Sequence, residues 1–246
     1  MYVAEIWRFP VKSMQGERVD VCEVNADGLS GDREYALFDA DTGLGLTARR
    51  VPELLFGSAR RRPDGVEITL PDGSVAAGDR QLSDWLGRSV VLRSTSEVVE
   101  RRYEHPADFE LEDDWMSLAG AKGAFHDSSR TNVSLVSTTT LGGWDRRRFR
   151  SNVVLAGAGE EGLVGSRVTI GDVVLKVGKH IERCVMTTRP QPGGLEKDLD
   201  VLRTIHRERG GCLAVGALVA RPGTIRVGDE IEAVRGLRER VRSILV

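Results

Sequence analysis

The feature that most constrains this fold is a succession of short β-branched or alternating apolar runs, each closed by turn residues. They fall at Val3–Phe9, Val19–Val24, Glu34–Phe38, Val66–Leu70, Val90–Leu92, Val133–Val136, Val153–Leu155, Val168–Ile170, Val173–Val177, Leu213–Val219 and Glu230–Ala233. β-Branched side chains are stiff and pack well on a pleated surface, and period-two alternation gives such a strand one buried face. Between the runs stand Asp39-Ala40-Asp41-Thr42-Gly43, Pro71-Asp72-Gly73, Ile170-Gly171-Asp172 and Pro222-Gly223, residues suited to tight turns. Many short strands at this spacing predict barrels or sandwiches instead of alternating βαβ units. Helical periodicity is sparse. Leu199, Leu202 and Ile205 recur ahead of Gly210-Gly211, Leu82, Trp85 and Leu86 share one face within Gly78–Leu86, and Gly236–Val246 forms an arginine-rich amphipathic tail. The expected class is mainly β (α+β): two packed β-rich domains with few short helices.

A length of 246 residues suits one large domain or two small ones. Around Tyr103–Phe125 the residues Glu104, Asp108, Glu110, Glu112, Asp113 and Asp114 gather, followed by Gly120-Ala121-Lys122-Gly123, which reads as a linker or surface loop. The expected division is an N-terminal barrel over 1–103, an acidic linker or loop over 104–125, a second barrel over 126–233 and a helical tail over 234–246. The junction of the two halves is a natural place for a ligand cleft. With 35 basic against 37 acidic side chains there is no bulk field for polyanions, so no nucleic-acid partner is expected. No apolar run approaches the roughly 18–20 residues that span a bilayer. The start alternates like a strand instead of a signal peptide, so a cytoplasmic protein without a membrane partner is expected. Cys22, Cys184 and Cys212 are odd in number and far apart, which argues against a disulfide framework, a zinc site or an internal iron–sulfur cluster.

Cys184 follows an apolar strand and precedes a polar segment closed by Pro190, with Arg183 beside it. A neighbouring guanidinium favours the thiolate, the form that attacks electrophiles and ligates soft metals; a buried, inert core thiol is the other reading. Lys12-Ser13 at a proline-fixed strand end suits a phosphate contact or a solvated loop. Arg33, after the Gly28-Leu29-Ser30-Gly31 turn, either holds an anion or pairs with Asp32. The run Arg146-Arg147-Arg148-Phe149-Arg150-Ser151-Asn152 is either a solvated face or, by strand parity of Arg150 and Asn152, one wall of a cleft. Thr131-Asn132 adds a polar lip. His180 lies four residues from Cys184, about 13 Å in an extended chain, so a Cys–His hydrolase has little support. No P-loop, dinucleotide fingerprint, HExxH or GxSxG motif is present.

Taken in order, Phe9-Pro10-Val11-Lys12-Ser13, Gly28-Leu29-Ser30-Gly31-Asp32-Arg33, Leu46-Thr47-Ala48-Arg49-Arg50, Phe149-Arg150-Ser151-Asn152, Arg183-Cys184-Val185-Met186-Thr187-Thr188 and Pro222–Asp229 resemble the MOSC-domain family, named for the C-terminal domain of molybdenum-cofactor sulfurase. The similarity covers about residues 1 to 233. It is to the branch with an extra N-terminal β-barrel domain, that of the amidoxime-reducing component and its bacterial relatives. The resemblance implies the molybdenum–molybdopterin cofactor, with Cys184 as the metal ligand and catalytic residue. It implies that Lys12, Ser13, Arg33, Thr131, Asn132, Arg150, Asn152 and Arg183 bind the cofactor. It implies reduction of small N-hydroxylated or N-oxide-type compounds, with electrons from a separate ferredoxin-like or flavin-containing reductase. Ser151 replaces the family's usual proline, Gly216 stands where a tyrosine is common, and Ser137–Arg146 is short; a missing ring at Gly216 is expected either to widen the pocket or to remove a cofactor contact. Two rivals stand beside this reading: a non-catalytic carrier of the cofactor, or of sulfur on Cys184, and a β-barrel interaction module whose Cys184 is a core thiol.

Overall fold

The structure is a computed structural model that describes residues 1–98, 100–106 and 115–234. Asp108, Glu110, Glu112, Asp113, Asp114 and the tail 236–246 lie outside the described residues. In chain order the strands are β1 (Tyr2–Arg8), β2 (Glu17–Val19), β3 (Val21–Asn25), β4 (Gly28–Leu29), β5 (Tyr35–Asp39), β6 (Ser58–Arg62), β7 (Gly65–Thr69), β8 (Val90–Ser94), β9 (Arg102–Pro106), β10 (Trp115–Ala119), β11 (Val133–Ser137), β12 (Val153–Ala156), β13 (Arg167–Ile170), β14 (Val173–Glu182), β15 (Cys212–Arg221), β16 (Gly223–Arg226) and β17 (Ile231–Val234). The α-helices are α1 (Asp79–Leu86), α2 (Thr138–Leu141) and α3 (Leu199–Arg209). The chain is therefore mainly β, as its patterning predicts.

Strands β17-β13-β14-β15-β11-β12-β1-β2 form one eight-stranded sheet. It is antiparallel except between β11 and β12. The first strand thus belongs with the last ones: Ile6 pairs with Val153 and Tyr2 with Ala156. Its apolar positions Val3 and Ile6 are buried among Leu135, Leu155, Val168 and Val215. The sequence boundary at 103 is consequently not a spatial one at this end, because burying the Val3 and Ile6 face requires the second half. Strand β3 likewise pairs with β16, which places Cys22 in the same core.

A second core gathers Val11, Met14, Leu37, Leu46, Leu54 and Leu82 around the β5–β8 and β6–β7 ladders and α1. Met186, just after Cys184, packs against it, so the second half is keyed into the first at the site. The stretch expected to be an acidic linker contains one arm of a ladder, since β10 pairs with β9. Beyond it Phe125 is 1% exposed and meets the Phe38 ring edge-on at 5.8 Å, so aromatic burial holds the connection down. In α3, Asp198 caps the N-terminus and Gly210 closes it in the left-handed conformation. The buried face is Val201 and Ile205, at i,i+4 spacing, and Leu199 of the expected face is exposed.

Candidate active site

Four non-glycine residues among those described have φ in the left-handed region: Ser13 (71°), Arg33 (51°), Arg150 (50°) and Ala214 (76°). Each such conformation costs on the order of 1 kcal/mol and persists only where surroundings impose it. Three of the four are expected site residues. The fourth follows Leu213, whose carbonyl accepts from Arg183 Nε at 2.8 Å. Strain is therefore concentrated around one location, where β14 and β15 also slip in register between His180 and Glu182.

Cys184 is exposed, two residues beyond the end of β14, so the core-thiol reading fails. It opens the 3-10 turn Val185–Thr188. The Thr-Thr pair closes that turn: Thr187 Oγ1 donates to the Cys184 carbonyl at 3.0 Å and Thr188 Oγ1 to the Val185 carbonyl at 2.8 Å. Arg183 fixes the entry. Besides Leu213 it donates through Nη1 to the Phe149 carbonyl at 3.1 Å. Desolvation pushes Arg183 down to about 10, with the Cys184 and Cys212 thiols acting the other way.

The Phe149–Arg150 turn joins this thiol to a cluster of cations. Arg33 Nη2 donates to the Arg150 carbonyl at 3.4 Å, one residue from the carbonyl that Arg183 holds. The guanidinium centres of Arg33 and Arg150 each lie 4.9 Å from the centroid of the Phe9 ring. Desolvation lowers Arg150 to about 10, Arg33 adding repulsion and Asp127 and Asp32 opposing it. Lys12 is buried; its Nζ donates to the Phe125 carbonyl at 3.1 Å and ion-pairs with Asp127. Asp127 is held well below the usual carboxylate range by Lys12 first, and by Arg33 and Arg150. Ser13 Oγ accepts from the Ala48 amide at 3.0 Å, which locks the turn that carries Lys12.

The structure thus brings together Lys12, Ser13, Arg33, Arg150, Arg183 and Cys184. It gives Asn152 a different role. At 2% exposure its Oδ1 accepts from Ser134 N (3.2 Å) and Oγ (3.0 Å), and its Nδ2 donates to Asp32 Oδ2 (3.1 Å) and the Trp7 carbonyl (3.3 Å). All its hydrogen-bonding capacity is used internally, and through Asp32 it positions Arg33. The parity argument that sent Arg150 and Asn152 into one cleft fails because Arg150 is left-handed, and alternation holds only along extended backbone.

Thr131 fills the place beside Gly216. A Cβ on Gly216 would lie 2.3 Å from Thr131 Oγ1, so the missing ring leaves no widened pocket there. Asn132 Nδ2 donates to the Ala26 carbonyl at 2.7 Å. Its own carbonyl lies 2.4 Å from where a Gly28 Cβ would stand, which together with φ of 115° requires glycine in that turn.

The arginine run is not a solvated face. Arg146 stacks on Trp7 at 3.4 Å and pairs with Glu5 at 2.9 Å. Arg147 bonds Asp145 and the Pro192 carbonyl. Arg148, 7% exposed, donates to the carbonyls of Thr187 (3.1 Å), Arg189 (3.1 Å) and Glu196 (2.7 Å), clamping the loop after Cys184. Asp127 and Arg148 are participants that sequence reasoning missed; the Arg33–Asp32 pair it offered does form, but with the Asp32 side chain fully buried.

Several buried polar atoms here lack a partner: Arg150 Nε, Arg183 Nη2, Thr131 Oγ1, Asn132 Oδ1 and Ser151 Oγ. Native proteins rarely tolerate such atoms without a ligand or water, each costing about 1–3 kcal/mol. Orphaned guanidinium donors fit a phosphate, and the hydroxyl and amide oxygens fit a pterin's polar edge. Among the described residues no three His, Cys, Asp or Glu side chains group to hold a metal. A soft metal on Cys184 would take its remaining ligands from a non-protein group, as a dithiolene supplies.

Fold and site together define a two-part β protein in which the Phe149–Arg150 turn links the segment bearing an exposed thiol to a cluster of cationic side chains. The sequence agrees on both parts: the MOSC N-terminal beta barrel domain matches residues 1–118 and the MOSC domain residues 118–232. The chain belongs to the MOSC family. It is similar to mitochondrial amidoxime-reducing component 1 of Mus musculus, 26% identical over 286 aligned positions that cover 93% of this chain and 81% of the relative. Among solved structures, the YUAD protein of Bacillus subtilis superposes with a TM-score of 0.45 at 12% identity, covering 94% of each chain. YiiM of Geobacillus stearothermophilus gives 0.36 at 15%, covering 56% of this chain and 74% of that one. These superpositions are loose, and the family assignment stands on the sequence matches.

Proposed function

We propose that this chain is a molybdenum-cofactor-dependent reductase of small N-hydroxylated or N-oxide-type compounds, working in the cytoplasm with electrons from a separate ferredoxin-like or flavin-containing protein. MOSC membership supports a molybdenum-cofactor-related function, and the mouse relative, by its name, reduces amidoximes. The observation that carries the reading is the exposed Cys184 thiol held beside the Lys12, Arg33 and Arg150 seat. Cys184 would hold molybdenum; Lys12, Arg33 and Arg150 would hold the cofactor's phosphate; Thr131 Oγ1 and Asn132 Oδ1 would meet the pterin. When bound, the cofactor supplies two-electron oxygen-atom chemistry at its metal.

The chain's own residues bind and orient. Arg183 ties the backbone entering Cys184 to Leu213 and Phe149, and Thr187 ties its carbonyl, so the backbone that carries the thiol is fixed. Arg148 holds the following loop against the same turn. Asp32, bonded by Phe9 N at 2.7 Å and by Asn152, steadies Arg33. Fixed donors of this kind need no reorganisation when charge arrives. The test is metal analysis of wild type and Cys184→Ser made in a molybdopterin-competent host, with turnover of an N-hydroxylated amidine from an artificial donor. The expected result is near-stoichiometric molybdenum and turnover in wild type, both lost in the variant. Wild type without molybdenum, or a variant with undiminished turnover, refutes the reading.

A further inference from the structure

The ion pair between Lys12 and Asp127 joins unlike environments: the lysine side chain is 6% exposed and the carboxylate 91%. The carboxylate therefore reaches a buried cation from the solvent side, where a soluble anion could also approach. Arg33 and Arg150 act on the same carboxylate. The segment that carries Asp127 is pinned at both ends. Phe125 N donates to the Arg33 carbonyl (2.7 Å) before it, and Asn132 N to the Ala217 carbonyl (3.0 Å) after it. Between these anchors the segment has a local Ser128–Arg130 bond.

The cation scaffold has other supports. Arg33 keeps Asp32, whose side chain is fully buried, as its own partner. Lys12 keeps the Phe125 carbonyl, and Arg150 Nε has no acceptor. The charge balance points the same way. Lys12, Arg33 and Arg150 face Asp32 and Asp127, which leaves a single net positive charge. With Asp127 withdrawn two remain, which matches a phosphate monoester of charge about −2.

We propose that Asp127 is an internal competitor for the anion that Lys12, Arg33 and Arg150 bind: a phosphate monoester enters as the Asp127 carboxylate leaves Lys12. This rests on the proposed function only for the identity of the natural anion. Entry displaces a charge-assisted hydrogen bond, and removing that competitor is worth about a factor of ten in affinity.

The test is calorimetric titration with inorganic phosphate of protein made in a host unable to make molybdopterin. Asp127→Asn is expected to bind phosphate about tenfold more tightly than wild type. Asp127→Ser should do the same, and Lys12→Met should abolish the gain. In wild type, phosphate should speed amide exchange across 127–131 as the carboxylate lets go. Equal or weaker binding by both Asp127 variants, or no phosphate binding by any form, overturns the proposal. Molybdenum analysis separates the two readings. Metal on Cys184 without a gain in Asp127→Asn sinks the competitor alone, and a gain without metal sinks the reductase alone.

Discussion

Replacing Asn152 by alanine should weaken the protein and loosen the anion seat together. The backbone bonds of the residue survive: Trp7 N to the Asn152 carbonyl (2.7 Å) and Asn152 N to the Ser134 carbonyl (3.1 Å). The side-chain loss removes one charge-assisted bond to Asp32 and takes the Asn152 Oδ1 acceptor away from the Ser134 amide. A bond to a charged group contributes about 1.5–3 kcal/mol and a buried unpaired group costs about 1–3 kcal/mol, so the expected loss is about 3 kcal/mol. For a chain of this size that lowers Tm by roughly 6–12 °C. Asn152→Asp should be worse near pH 7, because it sets a second carboxylate beside buried Asp32. Burial and the neighbouring carboxylate raise the folded pKa of the introduced carboxyl, so the deficit should shrink as pH falls toward 5 and that carboxyl protonates. Urea and thermal unfolding of the three proteins at pH 5 and pH 7.5 read both effects, and phosphate titration reads the seat. A loss below about 1 kcal/mol with unchanged phosphate affinity would show that Asn152 does not organise the network.

Gly216→Ala should destabilise by about 1–3 kcal/mol, since the new Cβ would overlap Thr131; adding Thr131→Ala should recover most of it, and non-additivity in the double-mutant cycle is the check. In the folded protein at pH 8, iodoacetamide should label exposed Cys184 and spare Cys22, which burial pushes up to about 11, leaving roughly one thiolate in a thousand; comparable labelling by peptide mapping would contradict the burial. Asp39, 6% exposed, is desolvated but accepts bonds from Thr42 and Arg88 that bring it down to about 2 from 3.8. Its contribution, roughly 1–2 kcal/mol, should be full above about pH 4 and fade as pH falls toward 2. Urea unfolding of wild type and Asp39→Asn at pH 6 and 2.5 measures that convergence.

Strand positions were legible because burial imposes period two on residues such as Val173, Leu175 and Val177 of β14, which face one core. Partnership was not legible, since nothing local in Val3 or Ile6 names Val153 across the chain. At the site, ordered motifs located Cys184, Lys12, Arg33 and Arg150, but not how each is held. Asn152 reads like a ligand and is an internal brace. The three consecutive arginines look alike, yet one stacks on Trp7, one bonds Asp145 and one clamps a loop. Asp127 sits in a polar stretch with no periodicity to mark it, and only folding sets it against Lys12.

The placement of β1 has a consequence for biosynthesis. Its partner β12 lies about 150 residues downstream, and its other end is met by Val3 N donating to the Asp229 carbonyl and Ile231 N to that of Met1. At 5–20 residues per second the ribosome takes roughly eight to thirty seconds to deliver β12 and roughly eleven to forty-five to deliver Asp229 and Ile231. For that interval the β1 edge that will pair with β12 is open and its Val3 and Ile6 face uncovered, and a chaperone or another nascent chain can capture it. Cutting the gene at the apparent domain boundary would therefore yield one fragment with an orphan strand and one with a groove shaped to receive it, a natural split-protein pair.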